Sequence, residues 1–131
     1  MKNITLLLLS FSMLVLAESC DKFYTYKFIL HNESGYPISI FLKIDNKHIS
    51  DTLIHGEQMT IFDDFASKPD LFCEMPSSKI EFIDSLKIQR IDTLKFLIKD
   101  ISSCTNWKKE KYSKNKDSFI DFIFTFTPKD F

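Results

Sequence analysis

One short segment of this sequence concentrates side chains that could bind a metal ion or transfer a proton. It contains His48, Asp51, His55 and Glu57, and imidazole and carboxylate groups are common ligands of divalent metals. His48 and His55 are separated by an odd number of positions, so on one regular strand they would face opposite sides. We therefore expect four solvated residues in turns, and we predict neither a metal site nor a catalytic site there.

Other motifs of catalysis are missing from the sequence. Phosphate-binding loops need clustered glycines, and this chain has only Gly35 and Gly56, which argues against nucleotide chemistry. No serine stands in a Gly-x-Ser-x-Gly motif, the motif of many hydrolases. The sequence also lacks a Cys-x-x-Cys pair, which is typical of zinc sites and thiol redox sites. We predict a protein that is not an enzyme and holds no cofactor. The rival hypothesis is a small secreted or anchored hydrolase of an unrecognised type, which needs a pocket where His, Asp or Glu side chains converge.

Two aromatic residues lie beside a basic segment and form a candidate ligand surface. Trp107 precedes the segment Lys108–Lys116 and Tyr112 lies within it, and aromatic faces can stack on sugars or bind cations. The alternative is that the aromatic rings cover the edge of the core while the lysines protect a sheet edge.

The first residues have the parts of a secretory signal peptide. Lys2 precedes an apolar run over residues 4–17, and Ala17 and Ser19 are small residues next to a cleavage position. The run is shorter than the roughly 18 apolar residues that a membrane-spanning helix requires. A short core helix that is hydrophobic on every side is the other interpretation of this run. We expect residues 1–19 to be removed, which leaves residues 20–131 as a single domain.

Cys20 directly follows this leader and resembles the cysteine of the bacterial lipobox, where signal peptidase II cuts before a lipid-modified cysteine. The segment departs from the usual lipobox because Ala17 stands where leucine is usual and Glu18 follows it. Ala17 and Ser19 also fit an ordinary cleavage site, so the protein would be secreted if Cys20 is not lipidated. We predict that Cys20 is lipidated and anchors the chain to a membrane.

The remaining cysteines, Cys73 and Cys104, are an even pair in a chain predicted to be exported. Such a pair is a candidate disulfide in an oxidising compartment, although two buried free cysteines are the alternative. The net charge of the whole chain is −1, and the leader removes one lysine and one glutamate. This balance offers no electrostatic reason to predict nucleic acid or an anionic membrane surface as a partner.

The rest of the chain predicts strands. It has 14 Phe but only 2 Gly, and aromatic and β-branched residues favour strands. Apolar residues alternate over residues 23–31 and again over 38–44, with Asn32–Gly35 between them, which predicts a β-hairpin. Further turns are predicted at Asp45–Lys47 and at His55–Glu57, with short strands over 52–54 and 58–62.

The second half of the chain is less regular. Residues 63–78 contain prolines, serines and aspartates, which is typical of an irregular connection. Residues 79–101 fit both helical and strand spacing, and we choose strands because Ile and Phe dominate there. Lys108–Lys116 is predicted to be a loop and Ser118–Thr127 a strand. The sequence therefore predicts an all-β fold, an antiparallel β-sandwich of about seven or eight strands.

Both ends of the chain resemble one group of proteins. The leader ends in Ser19-Cys20-Asp21-Lys22, a strand follows with Asn32–Tyr36 after it, and the chain closes on Phe124–Phe131. These features are similar to small uncharacterised lipoproteins of the Bacteroidota with a β-sandwich-like domain. The resemblance implies a cell-envelope protein, anchored at the outer membrane or on the periplasmic face, with no catalytic residues. Our hypothesis is a non-catalytic binding or structural module with an unidentified protein or glycan partner.

Overall fold

The protein consists of two β-sheets. The structure, a computed structural model, describes residues 23–66, 73 and 80–131. The four-stranded sheet has the order β4-β1-β7-β6 and the three-stranded sheet the order β3-β2-β5. The strands described are β1 Tyr24–Asn32, β2 Ile38–Ile44, β3 Lys47–Leu53, β4 Gln58–Ala66, β5 Ile83–Arg90, β6 Lys108–Lys114 and β7 Asp117–Phe126. The predicted all-β sandwich is confirmed.

Alternating residues of the central strands fill the core between the sheets. Phe28 on β1 lies opposite Phe122 on β7, and their rings stack with centroids 4.7 Å apart. Ile40 and Ile88 oppose each other on β2 and β5 and are buried from the other side. Each such side chain stabilises the fold by about 1.5 to 3 kcal/mol when fully buried, so the period of two in the sequence defines the inward faces.

The first and last strands of the four-stranded sheet are parallel neighbours. Tyr24 pairs with Ser118 and Asn32 with Phe126 along the same direction, whereas the other strand pairs are antiparallel. Parallel strands need a long crossover rather than a tight turn, and here most of the chain lies between them. The expectation of purely antiparallel sheets is corrected at this pair.

The predicted hairpin between residues 23–31 and 38–44 is wrong, because β1 and β2 belong to different sheets. The Asn32 side chain is fully buried and donates to the carbonyl oxygens of Tyr36 and Leu53, each at 2.7 Å. Its own oxygen accepts from the Ser34 amide at 3.0 Å and the Ser34 hydroxyl at 2.7 Å. The turn residues correctly predicted that the chain changes direction after β1. The buried side-chain amide of Asn32, however, leads the chain into the other sheet rather than back along β1.

Two tight turns close hairpins within the sheets. Asp45 and Asn46 both have positive φ between β2 and β3, as do Asn115 and Lys116 between β6 and β7, which is typical of two-residue hairpin turns. The predicted turn at Asp45–Lys47 is therefore confirmed. The predicted loop Lys108–Lys116 is wrong over most of its length, because its backbone pairs with β7 as an edge strand whose charged side chains stay exposed.

The strand prediction for residues 79–101 holds only for β5. After Arg90 the chain turns back. The Arg90 guanidinium forms an ion pair with Asp92 and lies 3.3 Å from the centre of the Tyr36 ring. Beyond this turn, one isolated bridge joins Gln89 to Phe96, so residues 91–101 do not form the strand expected of them. Likewise β4 extends to Ala66, into the connection predicted over residues 63–78. The rest of that connection lies outside the described residues, apart from Cys73.

We predict that Asn32→Ala lowers the free energy of unfolding by about 3 kcal/mol or more, because it removes the partner of the Leu53 carbonyl and of the Ser34 amide, at about 1 to 3 kcal/mol for each buried group. Urea unfolding followed by circular dichroism measures the change. Asn106→Ala is the control, since it removes the side-chain hydrogen bond from Asn106 to the Asp100 carbonyl and should lower the free energy of unfolding by about 1 kcal/mol or less. Equal effects of the two substitutions would contradict the assigned role of Asn32.

Candidate functional site

Trp107 belongs to the core, in agreement with the alternative in which the ring covers the core, so it offers no ligand surface. Its side chain is buried, and its ring centroid lies 5.4 Å from that of Phe28 and 5.4 Å from that of Phe124, edge to face. The indole N–H donates to the Ile101 carbonyl at 2.7 Å. An interior acceptor satisfies the polar end of the ring, which allows the large apolar surface of tryptophan to be buried.

Tyr112 lies on the outer face of edge strand β6, separate from Trp107. Its ring stacks on Phe119 with centroids 5.1 Å apart, and 42% of the residue is exposed. The two aromatic residues predicted as one ligand surface are therefore not together, and Tyr112 has different aromatic neighbours.

These neighbours form what we call the aromatic row, which is Phe65, Thr25, Phe119 and Tyr112. The residues follow one another across β4, β1, β7 and β6 by strand register. They alternate with the inward residues Tyr26 and Ile120, so they lie on the outer face of the sheet. Phe65 is 73% exposed, and the row therefore presents aromatic surface to the outside.

Sequence reasoning missed Phe65 because it stands in a segment that resembles a connection. β4 pairs with β1 through a bulge, in which Phe28 pairs with Phe62 and Ile29 with Thr60. The extra residue, Ile61, interrupts the alternation and conceals the strand in the sequence. The mixed apolar and polar residues that follow the bulge were the only indication in the sequence that the strand continues to Phe65.

A second row, charged, lies next to the aromatic row on the same face. Lys27 pairs with Asp63 on one side and Asp121 on the other, and Asp121 pairs with Glu110. Partial burial raises the pKa of the Asp121 carboxyl, and the charge of Glu110 acts in the same direction. A hydrogen bond from the Tyr112 hydroxyl and the charge of Lys27 lower this pKa and oppose the rise.

The histidine and carboxylate segment is held by separate local contacts. The Gly35 amide donates to His55 Nδ1 at 3.2 Å, and the Ile54 amide donates to Glu57 Oε2 at 2.9 Å. Asp51 accepts from the Thr52 amide at 2.7 Å. In the part of the chain that the structure describes, no three His, Cys, Asp or Glu side chains come together as a metal site would require.

The structure corrects the expected position of two members of this segment. His48 and Asp51 were predicted in turns but lie on β3, which begins at Lys47. Both are exposed, and His48 borders a shallow hollow with Phe41 and Leu86 on the outer face of the three-stranded sheet. The strand begins earlier than predicted because the tight turn at Asp45 and Asn46 sets its register against β2.

A third surface lies at the opposite end of the sandwich from Tyr24. We call it the 91–98 surface, and its exposed apolar members are Ile91, Leu94, Phe96 and Ile98, with exposures from 43% to 77%. The Ile98 amide donates to the Asp130 carbonyl, just beyond the end of β7. Within this segment Leu97 instead packs against the core.

The cysteines are divided between the described and the undescribed parts of the chain. Cys73 and Cys104 form a disulfide, with their Cα atoms 5.1 Å apart and a separation of 31 in sequence. Cys104 is buried in the core, so the bond connects position 73 to the interior. Cys20, the predicted lipidation site, lies outside the described residues.

Comparison of the chain with protein-family models, with curated proteins and with solved structures found no match. Within the described residues, no helix has the length and apolar character needed to cross a membrane.

We predict opposite outcomes for the two aromatic residues. Trp107→Ala should lower the free energy of unfolding by about 3 to 5 kcal/mol, because it removes a buried ring from the core. Tyr112→Ala should lower it by about 1 kcal/mol or less, because this residue is 42% exposed and its ring stacks on Phe119 at the surface. Urea unfolding of both variants tests the assignment, and a larger loss for Tyr112→Ala would contradict it.

We also predict that reduction of the disulfide lowers the free energy of unfolding by about 3 to 4 kcal/mol, the value for a loop of this length in the chain-entropy model. The comparison uses the chain with Cys20→Ala, unfolded in urea with and without dithiothreitol. Adding Cys73→Ser provides the control, since its stability should not respond to the reductant. A reductant effect of equal size in both proteins would refute the assigned bond.

Proposed function

We propose that this chain is a lipid-anchored protein of the cell envelope whose β-sandwich is a non-catalytic binding or structural module. The observation that carries the proposal is the position of Cys20, directly after the apolar leader and three residues before Phe23, where the described fold begins. A lipidated cysteine at this position would connect the domain to the membrane by a very short tether.

The other cysteines support the assignment of Cys20. The chain has 3 Cys, and the disulfide between Cys73 and Cys104 uses two of them. Cys20 is then the single thiol left for modification. An unpaired cysteine in an exported protein calls for a further role, and thioether lipidation after cleavage by signal peptidase II provides one.

The local contacts of the polar residues support a non-catalytic role. A general base must lie about 3 Å from its target, and a second group usually orients it. The side chains of Asp51, His55 and Glu57 instead accept hydrogen bonds from nearby backbone amides. Such contacts stabilise turns and strand ends, and they favour a module that acts through its surface.

The 91–98 surface supports binding over a purely structural role. Exposed apolar patches on soluble domains commonly mark contacts with other proteins. Leu94, Phe96 and Ile98 are each more than half exposed, and only Phe96 offers an aromatic face on which a sugar could stack. A polypeptide therefore suits this surface better than a glycan.

The anchor is tested by expressing the full chain and its Cys20→Ala variant in a bacterium that processes lipoproteins. Wild type should incorporate labelled fatty acid and stay with the membranes through a carbonate wash. Cys20→Ala should lose the label and appear in the soluble envelope fraction. Ser19→Ala is the matched control, because it keeps a small residue beside the cleavage position and should behave as wild type.

Two results would count against the proposal. One is a Cys20→Ala variant that remains fully membrane-bound after the wash, which would require another mode of attachment. The other is a wild-type protein without fatty acid, which would favour cleavage at an ordinary site and secretion.

A further inference from the structure

We propose that the end of the four-stranded sheet at which β1 begins lies against an anionic phospholipid surface, with the aromatic row at the level of the lipid headgroups. This inference rests on the proposed lipidation of Cys20 and deepens it. It assigns an orientation to the anchored domain and a lipid-contacting role to residues of four strands.

The length of the tether limits the distance between the fold and the membrane. Cys20 and Phe23 are three positions apart, and a fully extended chain spans at most about 3.6 Å per residue. The start of β1 would therefore stay within roughly 11 Å of the lipidated cysteine. Any residue close to Tyr24 in the sheet is then near the membrane surface.

Strand register identifies the residues at this end of the sheet. Tyr24 pairs with Ala66 on β4 and with Ser118 on β7. One position further along, the aromatic row crosses the sheet at Thr25. Phe65 in this row is 73% exposed and Phe23 is 69% exposed, so two phenylalanines project into solvent beside the tether. Aromatic and aliphatic side chains at such a position are typical of proteins that lie in the interface of a bilayer.

The hairpin between β6 and β7 adds positive charge to the same end. Lys114 pairs with Asp117, and the turn at Asn115 and Lys116 projects beyond the level of Tyr24. Lysines close to a membrane are attracted by anionic headgroups. The whole chain is nearly neutral, so this attraction is local: the tip of the hairpin carries Lys114 and Lys116 and one carboxylate, Asp117.

The charged row limits how deeply this end can enter the lipid. Lys27, Asp63 and Asp121 lie two positions further along their strands than the aromatic row, which is about 7 Å at the rise of a β-strand. Carboxylates are repelled by anionic headgroups and are costly to bury in lipid. The aromatic row can therefore reach the headgroups while the next row remains in water.

The opposite end provides a matched comparison. β1 has nine residues and spans about 26 Å, so Asn32 and the 91–98 surface lie far from the tether. Ile98 at that end is 77% exposed, nearly the same as Phe65. A fluorophore at either position is equally accessible to solvent, and it differs mainly in its distance from the predicted lipid contact.

The test uses full-length Phe65→Trp and Ile98→Trp, purified from membranes and reconstituted into vesicles of equal amounts of phosphatidylglycerol and phosphatidylcholine. Part of the phosphatidylcholine carries bromine on the acyl chains close to the glycerol backbone. The native Trp107 is the only other tryptophan, and wild-type protein gives its contribution. We expect the bromine-dependent loss of the added emission to be about twofold or more larger for Phe65→Trp, as for an aromatic residue in the interface.

Equal quenching of the two variants, or stronger quenching of Ile98→Trp, would overturn the orientation. Fatty-acid labelling of the same preparations reports the anchor independently. If the protein carries no fatty acid, the proposed function fails, and the two variants added to preformed vesicles then decide the lipid contact by the same comparison.

Discussion

The buried Asn32 amide is the contact on which the sandwich depends. It lies at the end of β1, in the four-stranded sheet, and donates to the carbonyls of Tyr36, just before β2, and of Leu53, the last residue of β3. The chain therefore leaves one sheet and begins the next within a few residues. β1 ends and β2 begins at this joint, so it sets how the apolar faces of the two strands meet in the core.

Alternation of apolar residues predicted the strands at the two ends of the chain, but it could not assign them to sheets. The turn residues Asn32 and Gly35 suit a hairpin and a crossover equally well, and only the burial of the Asn32 side chain distinguishes the two. Strand β6 was missed for a different reason. Its seven residues are all exposed and have no apolar period, so backbone pairing with β7 alone makes it a strand.

The candidate surfaces were predictable only in part. Tyr112 was correctly expected near the surface. The sequence could not decide whether Trp107 lies at the surface or in the core, because a tryptophan before a basic segment suits both a core edge and a ligand surface. Phe65, Phe119 and Tyr112 lie on three different strands, and register alone brings them into one row. A bulge in β4 further hid Phe65. Local patterns thus predict strands, while the surface depends on pairings between distant segments.

The proposed roles divide the molecule between its two ends, with lipid at the start of β1 and an exposed apolar surface at the other end. The proposed lipid contact depends on cleavage before Cys20 and on the lipid at this residue. The most direct measurement is the intact mass of the native protein isolated from its own membranes. A mature chain that starts at Cys20 and is heavier than residues 20–131 by at least a diacylglyceryl group is the expected result. A chain that starts at another residue and carries an unmodified Cys20 thiol would contradict the anchored module.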